Sequence, residues 1–148
     1  MIKGISSGIF FVIVLCLLVS CDGGPKPINY GTDGCHYCSM TIVDNQHAAQ
    51  FATKKGRAYK FDAIECMMNH LKDVDPATVS VLLVNDYNTP GELIDAKTAH
   101  YLVSKEIPSP MGEFLSAFDS EKGIKNVLEK HPGEQFSWEE LKKKFKLH

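Results

Sequence analysis

Six consecutive residues, Cys35-His36-Tyr37-Cys38-Ser39-Met40, carry two thiols, an imidazole and a thioether, directly after the turn-like pair Asp33-Gly34. Soft sulfur donors at this density suit a thiophilic ion, with Cu(I) and Zn(II) at the head of the list. A C-x-x-C pair alone also occurs in zinc ribbons and redox proteins. Met40 narrows the choice, because Cu(I) accepts a thioether readily and zinc rarely does. Three further residues join the candidates. Cys66 and His70 stand four apart on one helical face, more than a quarter-turn from the centre of the expected core stripe, where a thiol would be partly exposed. Met111 sits in the stiff loop Pro108-Ser109-Pro110-Met111-Gly112, where a thioether would be presented rather than packed. His36, between the two thiols, completes the set with the weakest claim. Taken as ligands, Cys38, Met40 and Met111 rank first, Cys35 second, and Cys66 or His36 third, while Cys35 and Cys38 could also form a disulfide and Met111 could equally be a loop residue tucked onto the core. A zinc site would instead close tetrahedrally on Cys35, Cys38, Cys66 and His36 or His70. Redox catalysis is disfavoured, since strand-like residues rather than a helix follow Cys38.

The elements that must position these groups begin after an apparent export signal. Lys3 precedes an unbroken apolar run over residues 9–19, too short for a bilayer that needs ~20 helical residues. The run ends in Leu18-Val19-Ser20-Cys21, which resembles the lipobox of bacterial lipoproteins. That resemblance implies cleavage before Cys21, acylation of its thiol and a lipid anchor. Residues 1–20 are therefore expected to be signal peptide, and residues 21–34, rich in Gly and Pro, a tether. Cys16 leaves with the signal, so Cys35, Cys38 and Cys66 are the thiols that remain.

With 44% apolar and 23% charged residues the chain is globular, and a formal charge of −2 argues against a nucleic-acid partner, which would want a basic face. Residues 41–43 have strand composition, and residues 48–53 and 57–61 read as a hairpin across Lys54-Lys55-Gly56. Asp62 with Glu65 forms a capping-box-like helix start, and Ile64, Met67, Met68 and Leu71 follow at core spacing. Residues 79–84 read as a buried strand. Strands at 98–103 and 113–118 and a helix capped by Asp119 then repeat the pattern, with Ile124, Val127 and Leu128 on its apolar face. A shift of 57 residues superimposes Phe61-Asp62 on Phe118-Asp119, Asn69 on Asn126 and Leu71 on Leu128. The expected fold is α+β, with two related ββαβ-like units over residues 35–88 and 89–148 sharing one core. A single irregular α+β domain is the alternative. A final helix opens at Ser137 with Glu140 completing a capping box. Its lysines, Lys142, Lys143, Lys144 and Lys146, form a solvated face or one that meets anionic lipid or an acidic partner.

The lipobox, the Cys35–Met40 motif, Phe61-Asp62 and the stretch Ser109-Pro110-Met111-Gly112-Glu113-Phe114-Leu115-Ser116-Ala117-Phe118 together resemble the NosL family. The resemblance covers nearly the whole mature chain. It implies a membrane-anchored Cu(I)-binding lipoprotein of the periplasm or cell exterior, with two ββαβ units and no catalysis. Its implied partners are apo nitrous oxide reductase and the membrane-associated machinery that matures it. That family usually has Gly where Ser39 stands. Cys66 resembles instead the second Cys of the Phe-Cys-Ser-x-x-Cys segment in YHS and TRASH metal modules, with Asp62 replacing the first Cys.

Overall fold

The computed structural model describes residues 24–147, so the expected signal, Cys21 and its lipobox lie outside the described residues. Strands β1 (Ala49–Thr53) and β2 (Ala58–Phe61) form the expected hairpin. Gly56, at φ 85°, turns the chain in the left-handed region that glycine enters without steric cost. Helix α1 (Ile64–His70) follows, then β3 (Val79–Asn85) and a short β4 (Leu93–Asp95). The second half contributes β5 (His100–Val103), β6 (Leu115–Phe118), α2 (Glu121–Leu128), β7 (Glu134–Phe136) and α3 (Trp138–Phe145).

Two antiparallel sheets result, in the orders β2-β1-β3-β4 and β6-β5-β7. In each, the first strand of the unit lies between the second and third, and the helix connects the second to the third. The fold is thus α+β with two units of one ββαβ topology and a terminal helix. The repeat is visible at residue level: the helix caps Ala63 and Ser120 are 57 apart, as are Phe61 and Phe118 at the strand ends. β4 had no counterpart in the sequence reading. It lies past residue 88 yet hydrogen-bonds to β3, so the first sheet extends beyond the boundary expected for its unit.

One core serves both units. Phe51, Phe61, Ile64, Met67 and Met68 pack in the same cluster as Tyr101, Leu115, Trp138 and Leu141. Each fully buried side chain of this size contributes about 1.5–3 kcal/mol of transfer free energy. β5 shows the strand period: Tyr101 faces this core, while Leu102 joins Ile107, Phe118 and Ile124 in a second cluster beneath α2. Polar links reinforce the junction. His47 bridges Asp44 (3.0 Å) to the Ser116 hydroxyl on β6 (3.1 Å), and Tyr87 N–H donates to Ala117 O (2.8 Å). The Asp–His–Ser chain resembles a hydrolase triad only in connectivity, because Ser116 is fully buried.

Three expectations change. Residues 41–43 are not a strand; Thr41 makes a single bridge to Gly34, because residues 33–42 close into a compact loop instead. The expected tether is in place from Lys26 onward. Lys26 exchanges hydrogen bonds between its backbone and the buried Gln50 amide, and Ile28 enters the core. Neither Asp62 nor Asp119 caps its helix. Ala63 is the N-cap of α1 without a side-chain bond, while the Ser120 hydroxyl caps α2 by accepting from Gly123 N–H at 3.2 Å.

Candidate metal centre

The loop over residues 33–42 folds back on itself through three backbone bonds: Ile42 N–H to Asp33 O (2.9 Å), Cys35 N–H to Met40 O (2.8 Å) and Ser39 N–H to Cys35 O (3.0 Å). Closing it demands φ 65° at Ser39, the left-handed conformation that a Cβ disfavours. The loop is then fixed to the edge of β2. His36 N–H donates to Lys60 O (2.9 Å), and Lys60 N–H donates to His36 Nδ1 (3.1 Å). The Lys60 ammonium reaches the Asp33 carboxylate at 2.6 Å, and this contact holds the Asp33 carboxyl below its usual range.

So anchored, the loop lies over the start of α1 and brings three thiols and a carboxylate together. The ligand atoms of Cys35, Cys38, Asp62 and Cys66 all fall within 4.8 Å of one another. Cys35, Asp62 and Cys66 are buried, and Cys38 is half-buried, which leaves one side of the cluster open to solvent. All three thiols are free. The Cys38 thiol donates to Asp62 Oδ1 at 3.4 Å. Cys35 is the sulfur prepared to ionise. A hydrogen bond from Cys66, joined by the backbone N–H groups of Cys38, Asp62 and Tyr37, brings its pKa down to about 6 against the opposing effect of burial. Cys66, as the donor to that sulfur, is pushed strongly upward, and burial pushes the Cys38 thiol up. A thiophilic cation would replace these protons and compensate the charge they leave behind.

The sequence-predicted residues divide accordingly. Cys35, Cys38 and Cys66 meet. Cys66 is fully buried rather than partly exposed, because the 33–42 loop covers the helical stripe that looked free. Met40 and Met111 present their side chains to solvent, at 55% and 38% exposure. His36 and His70 do not belong to the cluster. The His36 ring packs edge-on against Tyr59, and His70 lies among Phe51, Tyr59 and Phe61, where burial lowers its pKa. Asp62 takes the place that a histidine was expected to fill. Its signal was available in the i, i+4 spacing to Cys66 and in the likeness to a segment with Cys at that position, but the helix-cap reading absorbed it.

A second buried carboxylate ties the Met111 loop to this centre. Glu65 Oε1 accepts from the Ser109 hydroxyl and from Leu115 N–H (3.4 Å), and the Ser109 oxygen in turn accepts from Phe114 N–H at 2.9 Å. Glu65 Oε2 has no partner, and burial raises the carboxyl pKa. The loop of residues 109–114 is therefore fastened to the residue preceding Cys66.

Fold and site together define a small α+β protein of paired ββαβ units with a thiol–carboxylate cluster under a surface loop. The chain belongs to the NosL family, whose profile it matches over residues 27–145. It is 29% identical over 120 residues to the copper-binding lipoprotein NosL of Stutzerimonas stutzeri; the match takes in 76% of this chain and spans 63% of that protein. The crystal structure of the copper chaperone NosL from Shewanella denitrificans shares the fold, with a TM-score of 0.68 at 22% identity, covering 78% of this chain and 92% of that one.

Proposed function

We propose that this protein is a membrane-anchored, extracytoplasmic Cu(I) carrier that delivers copper for assembly of nitrous oxide reductase, its chemistry being ligand exchange and not catalysis. The observation that carries the reading is the convergence of Cys35, Cys38 and Cys66 with one thiol half-exposed. Soft sulfur donors fit Cu(I), which is satisfied by two or three of them. Copper enters at Cys38 and leaves the same way, helped by the exposed thioethers of Met40 and Met111. Thioethers neither ionise nor form disulfides, so they serve where thiols risk oxidation. Asp62, a hard donor, acts as hydrogen-bond acceptor for the remaining thiol. The receiving partners are apo nitrous oxide reductase and its membrane-associated maturation machinery. Acylation of Cys21 would hold the carrier at the cell membrane, facing the periplasm or cell exterior, and Cys21→Ser should release it into the soluble fraction.

Asp62 also favours a second reading, a small zinc-stabilised interaction module. Three thiolates and a carboxylate make a closed tetrahedral set for a divalent ion, with Asp62 standing where His36 or His70 was expected. Competition separates the two. Reduced protein is loaded with one equivalent of Cu(I), then challenged with a chromophoric Cu(I) chelator and with Zn(II). The carrier reading expects retention against the chelator and no displacement by equimolar Zn(II), with Cys38→Ser weaker than Met111→Ala and both weaker than wild type. Displacement by zinc would favour the interaction module.

A further inference from the structure

Away from the thiols the structure forms a half-open cavity of about 310 Å³ between the turn after α1, strand β3 and helix α3. It shares no lining residue with the metal centre. Val74, Leu82 and Trp138 supply apolar wall, and Lys72, Lys97 and Lys142 stand around it; no acidic residue lines it. These lysines come from three separate elements. Lys142 pairs with Glu139 at 2.9 Å and Lys72 donates to Asn69 at 2.7 Å, while Lys97 makes no ion pair among the described residues. Open apolar walls forgo the dispersion contacts that an occupant would supply. Ammonium groups gathered around a low-dielectric hollow favour an anion.

We propose that this cavity binds an amphiphile with an aliphatic chain and an anionic head. An inorganic anion would have no use for Leu82 and Trp138, and a neutral or cationic apolar solute would gain nothing from three lysines. The volume falls at the lower end of small-molecule sites, which run ~300–1,000 Å³. A free fatty carboxylate and one acyl chain of an anionic phospholipid offer the same chemistry. The inference stands independently of the copper reading, since it uses none of the sulfur ligands.

Trp138 is the sole tryptophan of the sequence, and it lines the cavity, so its emission reports occupancy directly. The metal-free protein is titrated with decanoate below its micelle concentration, with decyltrimethylammonium, with phosphatidylglycerol vesicles and with an acidic, leucine-containing peptide. The proposal expects a saturable emission change with decanoate or with the anionic vesicles, and the responding arm identifies the source. Decyltrimethylammonium should bind at least tenfold more weakly. The double variant Lys97→Glu/Lys142→Glu should lower affinity at least tenfold with its circular dichroism unchanged, and Val74→Phe should also weaken binding by reducing the space. Absence of a saturable response, equal binding of the cation, indifference to the lysine substitutions, or a response to the peptide alone would overturn it.

Discussion

Cys35 loses its proton most readily because its sulfur receives hydrogen bonds from Cys66 and from three backbone amides. The sign of its effect on stability follows. Its folded pKa, about 6, lies below the ordinary thiol value of 9.0, so the thiolate stabilises the fold fully above about pH 9. That contribution is lost as pH falls towards 6. Reduced, metal-free protein should show one thiolate ultraviolet transition near pH 6, absent in Cys35→Ser, and its stability advantage over that variant should grow between pH 6 and 9. A constant advantage across that range would contradict the assignment. Ser39 makes a separate claim at the same scale. It holds φ 65°, a left-handed conformation that glycine adopts without a Cβ clash, so Ser39→Gly should relieve strain and stabilise the protein. After allowing for the added freedom of glycine in the unfolded chain, the gain should be about 0.5–1 kcal/mol in urea unfolding. A loss of stability would mean that the Ser39 side chain is needed in the loop.

Among the elements, the two helices show what could be read from sequence and what could not. The 57-residue shift found the second helix and its apolar face, because Ile124, Val127 and Leu128 pack as their spacing requires. It placed both caps one residue early. Asp is as good a cap as Ser by type, and only the chain's path decides which oxygen meets the free N–H groups. Ser120→Ala should therefore cost about 1 kcal/mol in thermal or urea unfolding. Asp119→Ala should cost less, since its carboxylate only accepts from the Ser120 hydroxyl. Equal losses would return the cap to Asp119. The 33–42 loop was the least legible element. Nothing in its local composition announces that it docks on β2 through Lys60, yet this contact buries Cys66 and completes the cluster. The Glu65 link to the 109–114 loop was equally hidden, because sequence spacing made Glu65 part of a capping box. Glu65→Ala should accelerate hydrogen exchange at the Phe114 and Leu115 amides while α1 remains formed. Unchanged exchange there would show that the loop is held by other contacts.

Across the whole molecule, the shared core sets two equivalent units side by side, and the candidate sulfur donors come from non-equivalent places in them. Cys35, Cys38 and Cys66 belong to the first unit, and Met111 is carried by the corner before β6 of the second. No helix among the described residues is long and apolar enough to cross a membrane. The overall architecture was legible because strand and helix periods repeat. The cluster was only partly so: three of its residues were named as ligands, while their meeting depends on a fold-back that no spacing rule encodes. The most direct test of the central claim is the copper K-edge absorption fine structure of the reduced protein loaded with one Cu(I), compared across variants. The account predicts a first shell of sulfur alone, with one sulfur fewer, or one replaced by a lighter atom, in Cys38→Ser and in Cys66→Ser. A shell containing oxygen or nitrogen in the wild type, or one unchanged in both variants, would contradict it.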